Sequence, residues 1–207
     1  MNRTVNRWLA SLAILLLAAS APALAQDEAP DQLLESKASE ILDQLRVHRA
    51  EFEADPSGLH ALIREDLMPL MDVNYSSRLV LGRAGRGVSD AQLDAFARAL
   101  TDQLVERYAT GLLEFRSDEQ LEVLPLRGDM NPKATRVRTR VALQNGGFAP
   151  VDYVFRQTDE GWKVFDIVIE GISYVTTYRN QISPQVEADG IEAVTQRLAT
   201  GELQLSD

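Results

Sequence analysis

The chain has 207 residues and no cysteine, which excludes disulfides, thiolate metal sites and a cysteine nucleophile. Lysine and arginine number 21 against 31 aspartate and glutamate residues, so the formal net charge is −10. This acidic balance argues against nucleic-acid binding, because such binding requires a basic surface that displaces the counterions of the phosphates.

Residues 1–25 have the pattern of a secretory signal peptide. Two arginines precede an apolar run at residues 8–19, and small residues precede the cleavage point. The run is shorter than the roughly 20 apolar residues that a membrane-spanning helix requires. We therefore expect cleavage after Ala25, export, and a single folded domain at residues 26–207.

Helical spacing predicts three helices in the first part of this domain. Apolar residues recur at steps of three and four over residues 34–52, which is the pattern of one helix face. Pro56 and Gly58 end this helix, because proline cannot continue the hydrogen-bond ladder. Two shorter helices follow at residues 59–70 and 76–83.

A long helix is predicted over residues 89–116. Ser89 and Gln92 have the spacing of a capping box, in which each side chain binds a main-chain amide of the first turn. Gly111 lies inside this helix and weakens it by about 1 kcal/mol relative to alanine. We therefore expect a bend or a close contact at Gly111.

Strand patterns follow the long helix. Residues 121–124 form a short candidate strand, and residues 136–141 alternate three arginines with apolar or hydroxyl side chains. The Asn-Gly pair at 145–146 favours a tight turn, because both residues tolerate positive φ. This turn leads to a partner strand at residues 148–156, and residues 162–170 complete an antiparallel meander.

Two further helices close the chain. Gly171 ends the last strand, and a helix with apolar residues from Val175 to Val186 follows, in which Pro184 predicts a kink. A last helix follows Gly190. The fold class is therefore α+β, with helices wrapped around a curved antiparallel sheet of four to five strands.

The sequence contains no strong catalytic constellation. His48 and His60 lie in consecutive helices, and neither has the spacing of a zinc-binding pair. Asp152, Asp166 and Glu170 lie on predicted strands, where a carboxylate on an apolar face can act as a general base. Alternatively, Asp152 or Asp166 faces water or forms an ion pair with a nearby cation: Arg138, Arg140 or Lys163.

Large apolar side chains are abundant in this domain. The long helix, the strands, residues 79–81 and residues 172–178 all offer them to one space. These side chains either fill a core or line a ligand cavity. Composition alone does not separate the two interpretations.

Two regions resemble the MlaC family, the periplasmic phospholipid-binding proteins also known as toluene-tolerance auxiliary components. Residues 66–69 and 77–83 are similar to the family's middle region, and residues 161–173 are similar to its second signature. The resemblance covers essentially the whole mature chain. The chain departs from the family at residues 84–85, where bulky aromatics are usual, and at Pro184, inside a helix that the family keeps regular.

The resemblance implies a carrier that shuttles phospholipid between the outer and inner membranes and so maintains the lipid asymmetry of the outer membrane. The implied fold is a nuclear-transport-factor-like cone with added helices and a lipid cavity. The implied partners are the phospholipid ligand, an outer-membrane lipoprotein–porin complex, and an inner-membrane ABC transporter with an MCE-domain subunit. It implies a periplasmic monomer with no catalytic residue, cofactor, metal or nucleic-acid partner.

The predicted binding residues combine this resemblance with the convergence of apolar side chains from several elements. The predicted tail pocket comprises Leu79, Val80, Leu81, Phe96, Leu100, Leu104, Tyr108, Leu112, Val141, Tyr153, Val168, Ile172 and Val175. The predicted contacts of the phosphate head group are Arg78, Arg83 and Arg86.

Two other classes of function stay open beside the carrier. One is an enzyme of the same cone-like fold that acts on a hydrophobic ligand, with Asp152 or Asp166 as the base. The other is a structural or interaction module with a filled core. Lipid that co-purifies with the protein would distinguish the carrier from the filled module.

We expect the exported, mature protein to begin at Gln26, because cleavage after Ala25 removes the signal peptide. N-terminal sequencing and the intact mass of protein from a periplasmic extract measure this directly. Retention of residues 1–25 in the exported protein would contradict the prediction.

Overall fold

Seven α-helices and five β-strands are present in the computed structural model, which describes residues 28–115, 121–143 and 146–206. The predicted signal peptide lies outside these residues. The helices are α1 (Pro30–Val47), α2 (Arg49–Ala54), α3 (Ser57–Leu62), α4 (Val73–Leu81), α5 (Asp90–Tyr108), α6 (Tyr174–Asp189) and α7 (Ile191–Ala199). The strands are β1 (Leu121–Val123), β2 (Thr135–Ala142), β3 (Phe148–Thr158), β4 (Gly161–Ile169) and β5 (Ile172–Ser173). This architecture confirms the predicted α+β class.

The strands form one open antiparallel sheet in chain order, from β1 to β5. The predicted meander is confirmed as β2, β3 and β4. The turn between β2 and β3 contains Gly146 at φ +85°, whose amide donates to the Leu143 carbonyl at 3.0 Å. The neighbouring Asn145 lies outside the described residues. β5 was not predicted, because a strand of two residues has no alternating pattern.

The strand register defines two faces of the sheet. Val137 lies opposite Tyr153, and Tyr153 lies opposite Ile167, so these side chains share one side, here called the inner face. Val137 is 0% exposed and packs in one cluster with Leu34 of α1. Residues one step along each strand point to the other side, the outer face, where β2 carries its three exposed arginines.

The predicted helix over residues 34–52 is two helices in the structure. His48 leaves the helical conformation with φ −102° and ψ 12°, and it separates α1 from α2. Beyond this break, Phe52 packs in one buried cluster with Leu59 and Leu62 of α3. The spacing of apolar residues does not reveal the break, because Phe52 is buried in either arrangement.

The long helix is shorter than predicted. Both hydrogen bonds of the capping box are present: Ser89 Oγ accepts from the Gln92 amide at 3.2 Å, and Gln92 Oε1 accepts from the Ser89 amide at 2.8 Å. However, α5 ends at Tyr108, and a 3₁₀ segment continues over Ala109–Glu114. The prediction at Gly111 was a bend or a close contact: a Cβ placed there would meet no described atom within 4 Å, and the chain instead changes from α to 3₁₀ helix two residues before it.

Tertiary contacts account for these helix ends. Arg49 of α2 donates to the main-chain carbonyls of Leu113 and Phe115, which stabilises the chain as it leaves the 3₁₀ segment. The predicted helix at residues 59–70 changes after α3 into a π turn and a 3₁₀ turn that ends at Leu70. There the chain reaches the edge of the sheet.

The start of α4 is attached to the edge of β4. Asp72 caps the helix by accepting from the Tyr75 amide at 3.1 Å, and its own amide donates to the Val164 carbonyl at 2.7 Å. Arg156 of β3 forms an ion pair with Asp72 and lies 4.4 Å from the centroid of the Tyr75 ring. Because Asp72 is the cap, α4 begins before the predicted helix at residues 76–83 does.

Among the residues that the structure describes, buried apolar side chains form three clusters. The helical core joins α4, α5, α6, α7 and the C-terminal residues. The N-terminal cluster joins α1, α2, α3 and the end of α5. The sheet cluster joins the inner face to Leu34 of α1.

Replacing Asp72 with alanine is expected to lower the free energy of unfolding by about 2–4 kcal/mol, because a helix cap and a partly buried ion pair are lost together. Asp72→Asn keeps a capping side chain and should lose less. Urea unfolding measures both variants. The matched control is Asp102→Ala, which breaks an exposed pair with Arg64 and should cost at most about 1 kcal/mol. Equal losses in Asp72→Ala and the control would contradict the anchoring role.

Candidate functional site

The helical core contains the larger group of predicted tail-pocket residues. These are Leu79, Val80, Leu81, Phe96, Leu100, Leu104 and Val175. Val80, Leu81 and Phe96 are almost fully buried, and they belong to the same cluster as side chains of α7. In the structure these residues therefore contribute to the packing of helices against one another.

Three other predicted residues lie elsewhere. Leu112 packs against the N-terminal cluster. The Tyr108 hydroxyl lies 2.9 Å from the Tyr178 hydroxyl, at the junction of α5 and α6. Ile172 is 62% exposed on the two-residue strand β5 at the edge of the sheet.

The three predicted strand residues do not share one face. Val141 and Tyr153 lie on the inner face, whereas Val168 lies opposite Asp152 and therefore on the outer face. The prediction that all three line one space is wrong. Side chains alternate along a strand, and the register between β3 and β4 determines on which side Val168 lies.

A row of half-buried side chains follows the inner face toward the β2–β3 turn. The row comprises Leu121, Val123, Val141, Val151, Tyr153, Ile167 and Ile169, and it is called the apolar row below. At the other end of the same face, Val137, Phe155 and Trp162 are buried in the sheet cluster. The inner face is thus packed against α1 at one end and keeps accessible apolar surface at the other, as a site for an apolar ligand requires.

Sequence reasoning identified Val141 and Tyr153 but missed the other five residues of the row, which are Leu121, Val123, Val151, Ile167 and Ile169. The signal for Val151 was present in the sequence. A tight turn at 145–146 brings the strands on either side into antiparallel register, and every second residue of the returning strand then shares the face of Val141.

Tyr153 supplies a polar group to the apolar row. Burial of the phenol raises its pKa above the usual tyrosine value, because burial penalises the charged form. The hydroxyl makes no hydrogen bond to any other residue that the structure describes. It can therefore donate to, or accept from, a ligand that lies against the row.

The predicted head-group arginines lie around the C-terminal end of α4. Arg78 forms an ion pair with Asp90 at 2.9 Å. Arg83 and Arg86 are exposed, and neither forms an ion pair within residues 28–115, 121–143 and 146–206. At a rise of 1.5 Å per residue, the last residue of α4, Leu81, lies about 13 Å along the helix axis from Asp72, where α4 meets the sheet, and Arg83 follows in a 3₁₀ turn.

The two departures from the family pattern have different consequences. A Cβ on Gly85 would lie 2.8 Å from the Leu81 Cβ, so the absence of a side chain allows this close approach. Ala84 packs against the helical core. Pro184 lies inside α6, and the helix continues beyond it to Asp189.

Two of the three carboxylates that were candidates for a base, Asp152 and Asp166, have structural partners. Asp152 accepts a hydrogen bond from Arg136 at 3.1 Å. The predicted partners were Arg138, Arg140 and Lys163, so the observed cation is a different one. Asp166 accepts from Ser173 Oγ at 2.6 Å and from the Val175 amide at 3.0 Å, which fixes the start of α6. Among the described residues, no three His, Asp or Glu side chains are grouped as a metal ion requires.

A groove of about 500 Å³ lies between α5 and the last residues of the chain. Asp102, Gln103, Glu106 and Arg107 line it beside the apolar Leu198 and Leu205. Charged and polar side chains line the α5 side of this groove, whereas every residue of the apolar row is uncharged. The apolar row is therefore the better candidate for an apolar ligand.

The fold and its inner face place the chain among α+β proteins in which helices pack against an open antiparallel sheet. In the described part of the chain, no helix is long and apolar enough to cross a bilayer. The family model described as MlaC protein matches residues 35–200, and the chain belongs to the MlaC family.

Two curated relatives and one solved structure are similar to this chain. "Toluene tolerance protein ttg2D" of Pseudomonas putida is 23% identical over 179 residues, which cover 86% of this chain and 82% of that protein. "Intermembrane phospholipid transport system binding protein MlaC" of Haemophilus influenzae is 26% identical over 176 residues, which cover 82% and 80%. A phospholipid-binding protein from Ralstonia solanacearum, solved in complex with a phospholipid, has a TM-score of 0.70 at 20% identity and covers 82% of this chain and 97% of its own. This last likeness shows a shared fold.

The raised pKa of Tyr153 predicts a pH dependence of stability. Below about pH 10 the phenol is neutral in both the folded and unfolded states, and the native protein keeps its full stability. Above that pH the unfolded state ionises first, so the free energy of unfolding falls as pH rises through the folded pKa. Tyr153→Phe should flatten this fall, which urea unfolding between about pH 8 and 11 measures. An equally steep fall in the phenylalanine variant would contradict the prediction.

Proposed function

We propose that the protein is a periplasmic carrier that shuttles phospholipid between the outer and inner membranes and so maintains the lipid asymmetry of the outer membrane. The observation that carries this proposal is the half-buried apolar row on the inner face, in a chain that belongs to the MlaC family. The ligand named for the Ralstonia solanacearum protein of the same fold supports the choice of phospholipid.

Burial of the acyl chains supplies the binding free energy. Removing a chain of about sixteen carbons from water is worth roughly 12 kcal/mol, at about 0.8 kcal/mol per CH₂, before the cost of ordering the chain. The branched side chains of Val141, Val151 and Ile169 offer contact area with little rotamer entropy to lose. A tail that lies along the row would therefore exchange water for well-ordered apolar contacts.

The polar end of the ligand stays near the surface in this proposal, because desolvating a charged phosphate without a partner is costly. Arg83 and Arg86 are exposed cations that can meet the phosphate, whereas Arg78 is already paired with Asp90. The hydroxyl of the half-buried Tyr153 can donate to an ester carbonyl of the glycerol backbone.

Carriage of this kind requires no catalytic group, because no covalent bond is made or broken. Asp152 forms an ion pair and Asp166 caps the start of α6, so both carboxylates have structural roles that do not involve a substrate. The protein is accordingly proposed to be a binding protein without enzymatic activity, cofactor or metal.

Delivery through protein partners completes the proposal. After cleavage of residues 1–25, the mature monomer exchanges lipid with an outer-membrane lipoprotein–porin complex and with the MCE-domain subunit of an inner-membrane ABC transporter. The net charge of −10 disfavours adsorption to an anionic bilayer. Exchange through proteins avoids this repulsion.

Native mass spectrometry of protein from a detergent-free periplasmic extract tests the cargo. We expect the wild-type protein to carry bound phospholipid. Val141→Trp places an indole on the inner face and should lower the bound fraction several-fold. Arg98→Trp is the matched control, because it places the same indole at an exposed position of α5, outside the inner face, and should leave the load unchanged.

Two results would overturn the proposal. The first is a wild-type protein that carries no lipid and melts cooperatively. The second is an equal load in the two tryptophan variants, with Val141→Trp destabilised by about 1–3 kcal/mol, as expected if the indole overpacks a filled core. Thermal melts on the same samples separate a blocked site from an unfolded protein.

A further inference from the structure

The outer face of the sheet is covered in one half and open in the other. Val154 and Val168 are buried where α6 contacts β4. On β2, by contrast, the Arg136 and Arg140 side chains are each 54% exposed. The part of the outer face on β1, β2 and the first half of β3 is therefore available for contact.

Three arginines run along this open part. Arg136, Arg138 and Arg140 alternate on β2, and at about 3.4 Å per residue they extend over about 14 Å. Asp152 accepts from Arg136, and Glu122 lies 3.5 Å from Arg140. Arg138 lies between them and forms no ion pair within the described residues. The face thus carries an excess positive charge on a chain whose net charge is −10.

Apolar side chains lie beside the arginines on the outer face, at the end of the strands near the β2–β3 turn. Phe148 lies opposite Ala142 and is 60% exposed, and the exposed Pro150 lies opposite Arg140. An aromatic ring, a proline and guanidinium groups therefore share one rigid sheet surface. Aromatic residues and arginine are enriched at the centres of protein interfaces and among the residues that dominate binding energy.

Protection against aggregation does not account for this combination. Charged side chains on an exposed sheet can prevent edge-to-edge association. The exposed Phe148 ring favours association instead, and the acidic surface of the chain already supplies solubility. The surface has the composition of a binding site.

We propose that the surface formed by Arg136, Arg138, Arg140, Phe148 and Pro150, the arginine stripe, docks a protein partner that presents carboxylates around an apolar recess. Guanidinium groups bind carboxylates with two parallel hydrogen bonds, and Phe148 fills the recess. A bilayer is the poorer occupant, because anionic lipids repel the rest of this acidic chain.

The position of the arginine stripe suits a carrier. It lies on the opposite side of β2 and β3 from the apolar row, so a docked partner does not cover the row. The inference rests on the proposed function only because that function supplies the two partner proteins used in the test.

Binding of the mature protein is measured against the purified outer-membrane lipoprotein–porin complex and the purified periplasmic MCE domain from the same organism. We expect Arg138→Gln with Arg140→Gln to raise the Kd for at least one of them by about tenfold or more and to reduce its salt dependence. Phe148→Ser should raise the same Kd by about tenfold. The matched control, Arg64→Gln with Arg98→Gln, removes the same charge from the helices and should change the Kd by no more than about twofold.

Four results would overturn the docking surface. The first is that the wild type binds neither partner, and the second is that both stripe variants keep the wild-type affinity. The third is that the control variant loses as much affinity as the stripe variants. The fourth is that the stripe variants lose only binding to vesicles of phosphatidylglycerol and phosphatidylethanolamine, or only self-association of the chain. Thermal melts confirm that each variant is folded. Lipid load by native mass spectrometry is measured on the same samples, so a wild type that binds a partner without carrying lipid would overturn the carrier function and leave the docking surface intact.

Discussion

The attachment of α4 to β4 is the constraint on which the arrangement of helices and sheet depends. The Asp72 amide and the Ser76 hydroxyl both donate to main-chain carbonyls of β4, so the start of the helix satisfies acceptors that the strand edge would otherwise leave open. Arg156 of the neighbouring strand β3 forms an ion pair with the carboxylate of Asp72. Because α4 also contributes Val80 and Leu81 to the helical core, this attachment sets the position of the helical core relative to the edge of the sheet.

The parts of the fold that could be predicted from sequence are those with local signals. The capping box at Ser89 and the alternation along β2 depend on residues a few positions apart, and the structure has both. The break at His48 and the end of α5 at Tyr108 have no comparable signal, because distant contacts influence them. The hydrogen bond from Arg49 to the Leu113 carbonyl, which joins residues far apart in the chain, is one such contact.

The candidate site was harder to predict, because hydrophobicity does not distinguish a packed core from an accessible apolar surface. Leu81 and Val141 are both apolar, yet Leu81 is buried among helices and Val141 is half-buried on the inner face. Val168 shows a second limit. The alternation of side chains along β4 is visible in the sequence, but the face on which Val168 lies depends on the register of β3 against β4. This register shifts by one residue between Val154 and Phe155. A shift of this kind exchanges the two faces of a strand.

The same alternation gives one sheet two surfaces that can evolve and act separately. Arg140 and Val141 are neighbours in the chain, yet one belongs to the arginine stripe and the other to the apolar row. A substitution on one face leaves the side chains of the other in place, so partner choice and ligand choice are not tied to each other by shared residues. Backbone movement, however, is shared, because β2 and β3 carry both surfaces. On the functions proposed here, a partner that bends these strands from the outer face would displace the apolar row on the inner face, and docking would then change lipid affinity without any separate hinge.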